Sequence, residues 1–336
     1  MTARFGRLGR LLALLALLAL AAAGAAFCYA AVRFADLSGG NGKPRITVII
    51  KESKSMEFWQ VFADGAETAA KEFDADIEVI GPEKETDIDE QIAMMEAAVA
   101  RKPDAIVLAA TDFNRLVPAA RQAGDAGIPL IMADSGINSD VPKSFIATDN
   151  VAAGEKIGGL MAEELAGRGG KVAIISYVQW TATQLDRERG VRNVLEATPG
   201  VEIVGTFYSD GIERKAYEMT LELLKEHPDL KGIVGLNEAS SVGPGKALRD
   251  AGAAGRVKLV GFDSSIEEVK LLEEGVMQAT VVQRPFNMGY LGVKTAVQAI
   301  RGEKVPRVID TGAVVITKAN MYEDENQKLL FPFVGE

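Results

Sequence analysis

Ten short apolar runs, mostly separated by stretches with helical spacing, limit what this chain can become. The runs cover residues 46–51, 77–81, 105–110, 128–134, 144–149, 171–176, 202–209, 232–238, 258–263 and 279–283. They are rich in Val and Ile and mostly continuous rather than alternating, the pattern of parallel strands covered on both faces. Between them, residues 91–102 place Ile92, Met95, Ala98 and Val99 on one helical face, and residues 151–167, 217–227 and 286–302 show the same period. Strand–helix alternation of this kind predicts right-handed βαβ units and parallel sheets. Ten strands are too many for one open sheet in a chain of 336 residues, so two α/β lobes are expected, with a boundary near 149–150.

That architecture places function beyond the carboxyl ends of the strands. Lys51, Asp134, Asn237, Asp263 and Gln283 all fall there. Each alone reads as a turn or helix cap; five at equivalent strand ends read as the wall of a site.

The N-terminus carries a different signal. Arg4, Arg7 and Arg10 precede 22 uncharged residues, 11–32, against roughly 20 needed to span a bilayer. Arginines on the near side predict that the remainder of the chain is exported. Residues 1–35 therefore read as a signal peptide or membrane anchor, and 36–44 as a linker. Small residues at 21–26 suit a signal peptidase. The length of the run favours an uncleaved anchor, and Phe27 is too large for the usual residue before a lipidated Cys28.

Composition narrows the chemistry. One His and one Cys leave almost no material for a His-based triad, a multi-ligand zinc site or an intramolecular disulfide. A net charge of -10 gives no footprint for nucleic acid. GPGKAL (243–248) lacks the remainder of a phosphate-binding loop, no GxGxxG follows the first strand, and the acidic stretch EKETDIDEQ (83–91) lacks EF-hand spacing and reads as a solvated loop and helix start. His227 reads as the end of a helix.

The segments DGAETAAKEF (64–73), GIPLIMADS (127–135), FIATDNVAAGEKIG (145–158), DRERGVRNVL (186–195), LVGFDSS (259–265) and VVQRPFNMGYLGVKTA (281–296), in this order, resemble the ribose-type periplasmic sugar-binding proteins. These are type I solute receptors of ABC importers, related to the effector domains of lactose-repressor-like regulators. The resemblance runs from about residue 45 to 320; the regulators' helix-turn-helix pattern is absent. It implies two Rossmann-like lobes, 45–149 with 284–311 and 150–283 with 312–336, joined by three hinge crossings near 149–150, 283–284 and 310–313.

The resemblance also implies a site. Phe58 and Trp59 match an aromatic pair that stacks a sugar ring, which suits the apolar C–H faces of a pyranose or furanose. Asp134, Asn237, Asp263 and Gln283 match side chains that bond the hydroxyls. Arg189 matches a donating arginine, with Arg187 close by as the alternative. Ser135, where ribose receptors often have Arg, and Met56-Glu57, where they often have Asn-Pro, point away from ribose. Lys51, Ser135, Trp180 and Asp210 are further candidates, and Lys51 together with a nearby glutamate would suit a sugar acid or derivative. The function implied is an extracytoplasmic solute receptor, not an enzyme. It would be a monomer without cofactor or metal, delivering a carbohydrate to an ABC permease. A subunit presenting its closed state to a sensor kinase or chemoreceptor is the alternative, and an extracellular α/β enzyme using a carboxylate pair such as Asp134 with Asp263 is a distant third.

Overall fold

The computed structural model describes residues 42–53 and 57–331. They form two six-stranded sheets. The first holds β1 (Arg45–Ile49), β2 (Asp76–Ile80), β3 (Ala105–Leu108), β4 (Leu130–Ala133), β5 (Ser144–Ala147) and β11 (Val308–Asp310) in the order β11-β5-β4-β3-β1-β2, all parallel. The second holds β6 (Gly170–Ser176), β7 (Val201–Tyr208), β8 (Leu230–Gly235), β9 (Lys258–Phe262), β10 (Ala279–Val282) and β12 (Val314–Thr317) in the order β12-β10-β9-β8-β6-β7. Only β12 is antiparallel to its neighbour there. The central strands β3, β4, β9 and β10 are wholly or almost wholly buried, which explains their unbroken apolar runs. The two strands that the apolar pattern does not announce, β11 and β12, are short edge strands with partly exposed residues.

The chain passes between the sheets three times: between β5 and the helix α4 (Asn150–Glu164), between β10 and α9 (Pro285–Ile300), and between β11 and β12. Among the described residues no helix is long and apolar enough to cross a membrane; the uncharged run at 11–32 lies outside them.

In each lobe two helices cross at glycine contacts, and these crossings carry site residues. In the N-terminal lobe α1 (Glu57–Phe73) lies against α9. A Cβ on Gly65 would meet the Phe286 carbonyl oxygen at 2.0 Å, and one on Gly289 would meet the Phe62 carbonyl oxygen at 1.9 Å. In the C-terminal lobe α4 lies against α5 (Ala182–Leu195). Cβ atoms on Gly154 and Gly190 would meet the carbonyl oxygens of Arg187 at 2.3 Å and Val151 at 2.2 Å. Only a residue without Cβ permits backbones this close. The first crossing fixes where the start of α1 points, and the second fixes the rotation of α5.

Candidate functional site

Both sheets end on the same cleft, and each contributes an aspartate in the same way. Asp134 follows β4 with φ 59°, and its N–H donates to the Ile146 carbonyl at 2.8 Å. Asp263 follows β9 with φ 78°, and its N–H donates to the Val281 carbonyl at 2.9 Å. Left-handed backbone is uncommon outside Gly and is tolerated best by Asp and Asn. Here it turns each carboxylate off the strand end and into the space between the lobes.

That space is a small pocket lined by Lys51, Phe58, Trp59, Glu85, Asp134, Tyr177, Arg187, Asn237, Asp263 and Gln283. A wider cleft shares Phe58, Asp263 and Gln283 and runs to Arg284, Phe286 and Leu330. It is not where the paired charges converge.

The aromatic wall comes from the first turn of α1. Phe58 and Trp59 meet edge to face, with centroids 5.0 Å apart and planes at 80°, and Phe62 holds Trp59 from behind at 5.5 Å. Both belong to the N-terminal core as well as to the pocket, so packing fixes their rotamers before anything binds.

Lys51 is the centre of the polar wall. Its Nζ lies 2.9 Å from Glu85 and 3.1 Å from Asp134, all three side chains being buried. It also reaches Thr183 Oγ1 of the other lobe at 3.4 Å and lies 5.7 Å from the ring centroids of Trp59 and of Tyr177. Burial alone would push the ammonium toward neutrality; Asp134 and then Glu85 outweigh it and hold the Lys51 pKa above the ordinary lysine value. The lysine is thus spoken for twice.

Arg187 supplies the second cation. Its guanidinium stacks 3.9 Å from the Phe262 ring centroid, while Nε donates to Asn150 Oδ1 and Nη1 to the Leu236 carbonyl, both at 2.8 Å. Asp263 faces it. Burial raises the Asp263 carboxyl above the ordinary range, with Arg187 and the hydrogen bond from Gln283 Nε2 (2.6 Å to Oδ1) opposing that rise. Gln283 Oε1 is buried without a partner, an acceptor for a ligand hydroxyl. Asn237 caps the helix α7 (Glu238–Asp250), accepting from the Ser240 N–H at 3.0 Å, and also lines the pocket.

The structure places several of the sequence candidates away from this pocket. Arg189 points to water and pairs with Asp186 at 2.7 Å; Arg187, two residues earlier, enters the pocket. The physical reason is helical phase: Gly190 is pressed on α4, and the residue three positions before it shares that face. Ser135 is buried behind Asp134 and does not line the pocket. Trp180 is 59% exposed and lines, with Asp210, a separate rim cavity; Asp210 itself pairs with Lys215. The stretch 83–91 is not simply a solvated loop. Glu85 holds Lys51, and the buried Gln91 donates to the carbonyls of Ile50 (3.0 Å) and Ala109 (2.9 Å) and accepts from the Thr111 N–H (2.9 Å), tying the ends of β1 and β3 together. Among the described residues no His, Cys, Asp and Glu side chains gather as three or more metal ligands.

Residues 46–304 match the profile of the periplasmic binding protein domain. The chain belongs to the periplasmic binding protein family. Among its relatives, the D-ribose/D-allose-binding protein of Pseudomonas aeruginosa is 32% identical over 78% of this chain and 83% of that protein. The D-allose-binding periplasmic protein of Escherichia coli is 29% identical over 76% and 85%. Of solved structures, an ABC transporter solute binding protein from Agrobacterium vitis with bound D-fucose superposes with a TM-score of 0.83 at 38% identity, covering 85% of this chain and 99% of that one. A carbohydrate transporter solute binding protein from Agrobacterium radiobacter in complex with D-arabinose gives 0.83 at 33%, covering 87% and 100%. The family's two-lobed frame is therefore this chain's frame, and the pocket lies between its lobes.

Proposed function

We propose that this periplasmic binding protein is the solute receptor of an ABC importer, and that it closes on a single neutral monosaccharide outside the membrane. The observation that carries the reading is the pocket itself: an aromatic wall from one lobe facing paired charges and amides contributed by both. Sugar C–H faces pack on Phe58 and Trp59, and hydroxyls, which donate and accept, find Asp134, Asp263, Arg187, Asn237 and Gln283. The relatives that bind ribose, allose, fucose and arabinose support the same class.

The charge balance supports a neutral ligand over a sugar acid. Lys51 already faces two carboxylates and Arg187 faces Asp263. A ligand carboxylate would enter a pocket with three acids and two committed bases, and like charges at this range repel. Export through residues 1–35, with retention as an anchor, fits the arginines at 4, 7 and 10 ahead of the uncharged run.

A thermal-shift panel tests this. D-Ribose, D-allose, D-fucose and D-arabinose are compared with D-glucuronate and D-galacturonate, since a ligand bound only by the folded state raises the melting temperature. At least one neutral sugar is expected to shift it, no uronate, and each bound sugar is recovered unchanged. A uronate giving the largest shift, or a best shift that survives both Trp59→Ala and Asp263→Ala, refutes the reading.

A further inference from the structure

Arg187 reaches the pocket on a long side chain, and a guanidinium carried that far has to be aimed. Stacking 3.9 Å from the Phe262 ring centroid sets its plane. A stack fixes the tilt of the fork but leaves it free to turn within that plane. Two charge-assisted bonds stop the turn. Nη1 donates to the Leu236 carbonyl and Nε to Asn150 Oδ1, each at 2.8 Å. With Nε and Nη1 committed to oxygens of the protein, Nη2 is the nitrogen left to meet a ligand oxygen.

Asn150 is buried and does not line the pocket. It is the first residue of α4, where the chain has just crossed from the N-terminal lobe. Its amide serves two different partners. Nδ2 donates to the Thr148 carbonyl at 3.0 Å, and Oδ1 accepts from Arg187. A guanidinium N–H only donates and a carbonyl only accepts, so these partners fix which way the amide faces. The backbone that carries it is pinned at the crossing. The Asp149 side chain accepts from the Ala152 N–H at 3.0 Å, capping α4. The Asp149 N–H donates to Asp310 Oδ1 at 3.2 Å, and Thr148 Oγ1 donates to the Gly312 carbonyl at 3.4 Å. The stop on the Arg187 fork is thus mounted on the crossing segments, not on the helix that bears the arginine.

On the sugar-receptor reading of the pocket, we propose that Asn150 is a positioning residue: it sets the in-plane rotation of the Arg187 fork and hence where Nη2 is presented to the ligand. Without Oδ1 the buried Nε–H loses its acceptor and the fork turns to find another. The stack on Phe262 and the bond to Leu236 remain, so the core is kept while the charged donor is misdirected.

The full chain is compared with Asn150→Ala, Asn150→Ser and Asn150→Asp. The serine hydroxyl is too short to reach Nε, and serves as the second variant should alanine not fold. Aspartate keeps an oxygen for Nε and loses only the donor to Thr148. The first readout needs no ligand: the Arg187 Nε–H resonance of the isotope-labelled protein, assigned by its disappearance in Arg187→Met. In the native protein and in Asn150→Asp it is expected away from the position of a free guanidinium and slow to exchange with water. In Asn150→Ala and Asn150→Ser it is expected to return to that position. The second readout is calorimetric affinity for whichever of D-ribose, D-allose, D-fucose and D-arabinose binds most tightly. A loss of about tenfold is expected in Asn150→Ala and Asn150→Ser, with Asn150→Asp within about threefold of native. Far-UV circular dichroism checks that each variant folds. A resonance that stays in place in Asn150→Ala and Asn150→Ser, an unchanged affinity in both, or a loss in Asn150→Asp equal to theirs overturns the proposal. If no sugar of the panel binds the native protein, the proposed function fails, while the resonance still decides whether Asn150 holds the fork.

Discussion

Replacing Lys51 with Met keeps the bulk of the side chain and removes its charge. What remains is Glu85 and Asp134, whose side chains are each 3% exposed and which now lack the cation that stood 2.9 and 3.1 Å away. Removing one partner of a buried ionic group costs about 3–5 kcal/mol, because the other charges stay buried and uncompensated. At about 2 °C per kcal/mol for a body of this size, the melting temperature falls by roughly 6–10 °C. The pH dependence separates this cause from lost packing. In the native protein the raised Lys51 pKa means that its stabilisation is complete below the unfolded lysine value and is lost only as pH rises through the folded one. This pair therefore leaves native stability flat from pH 5 to 8. In Lys51→Met the two carboxylates shed their charge by taking up protons, so the loss shrinks at pH 5 relative to pH 8. Urea unfolding followed by circular dichroism at both pH values measures it, and Lys51→Met combined with Glu85→Gln and Asp134→Asn is expected to recover most of the loss. A deficit below about 1 kcal/mol at pH 8, or one equal at the two pH values, refutes the view that the lysine neutralises this wall.

Two further outcomes follow from the same geometry. Arg187→Ala is expected to weaken sugar binding by about 2–5 kcal/mol, since it strands Asp263 beside the ligand, whereas Arg189→Ala, whose guanidinium meets only the exposed Asp186, leaves affinity within about threefold by calorimetry. Gly65→Ala would drive a methyl to 2.0 Å from the Phe286 carbonyl and is expected to cost about 1–3 kcal/mol or more, while Gly159→Ala on α4, with nothing within 4 Å, is neutral or slightly stabilising in the same thermal melt.

The strands were legible because a strand buried on both faces has one solution, a continuous apolar run, and β3, β4, β9 and β10 are of that kind. The strand-end side chains Lys51, Asp134, Asn237, Asp263 and Gln283 follow from that reading and all line the pocket. Glu85 was not legible. It sits in an acidic run that composition marks as solvated, and only the fold carries that run back over the end of β1 to meet Lys51. Arg187 and Arg189 are equivalent in composition and neighbourhood; the contact of Gly190 with the Val151 carbonyl chooses between them.

The sequence by itself determined two α/β lobes and the strand ends where polar groups gather, because these depend on local period and on burial averaged over an element; the aromatic pair beside them was implied by the resemblance. The tertiary structure alone decided which charges meet. An ion triad such as Glu85–Lys51–Asp134 depends on distances of a few ångströms between segments far apart in the chain. Electrostatic energy depends on those distances and on burial, and the order of residues along a chain specifies neither until the helices have docked.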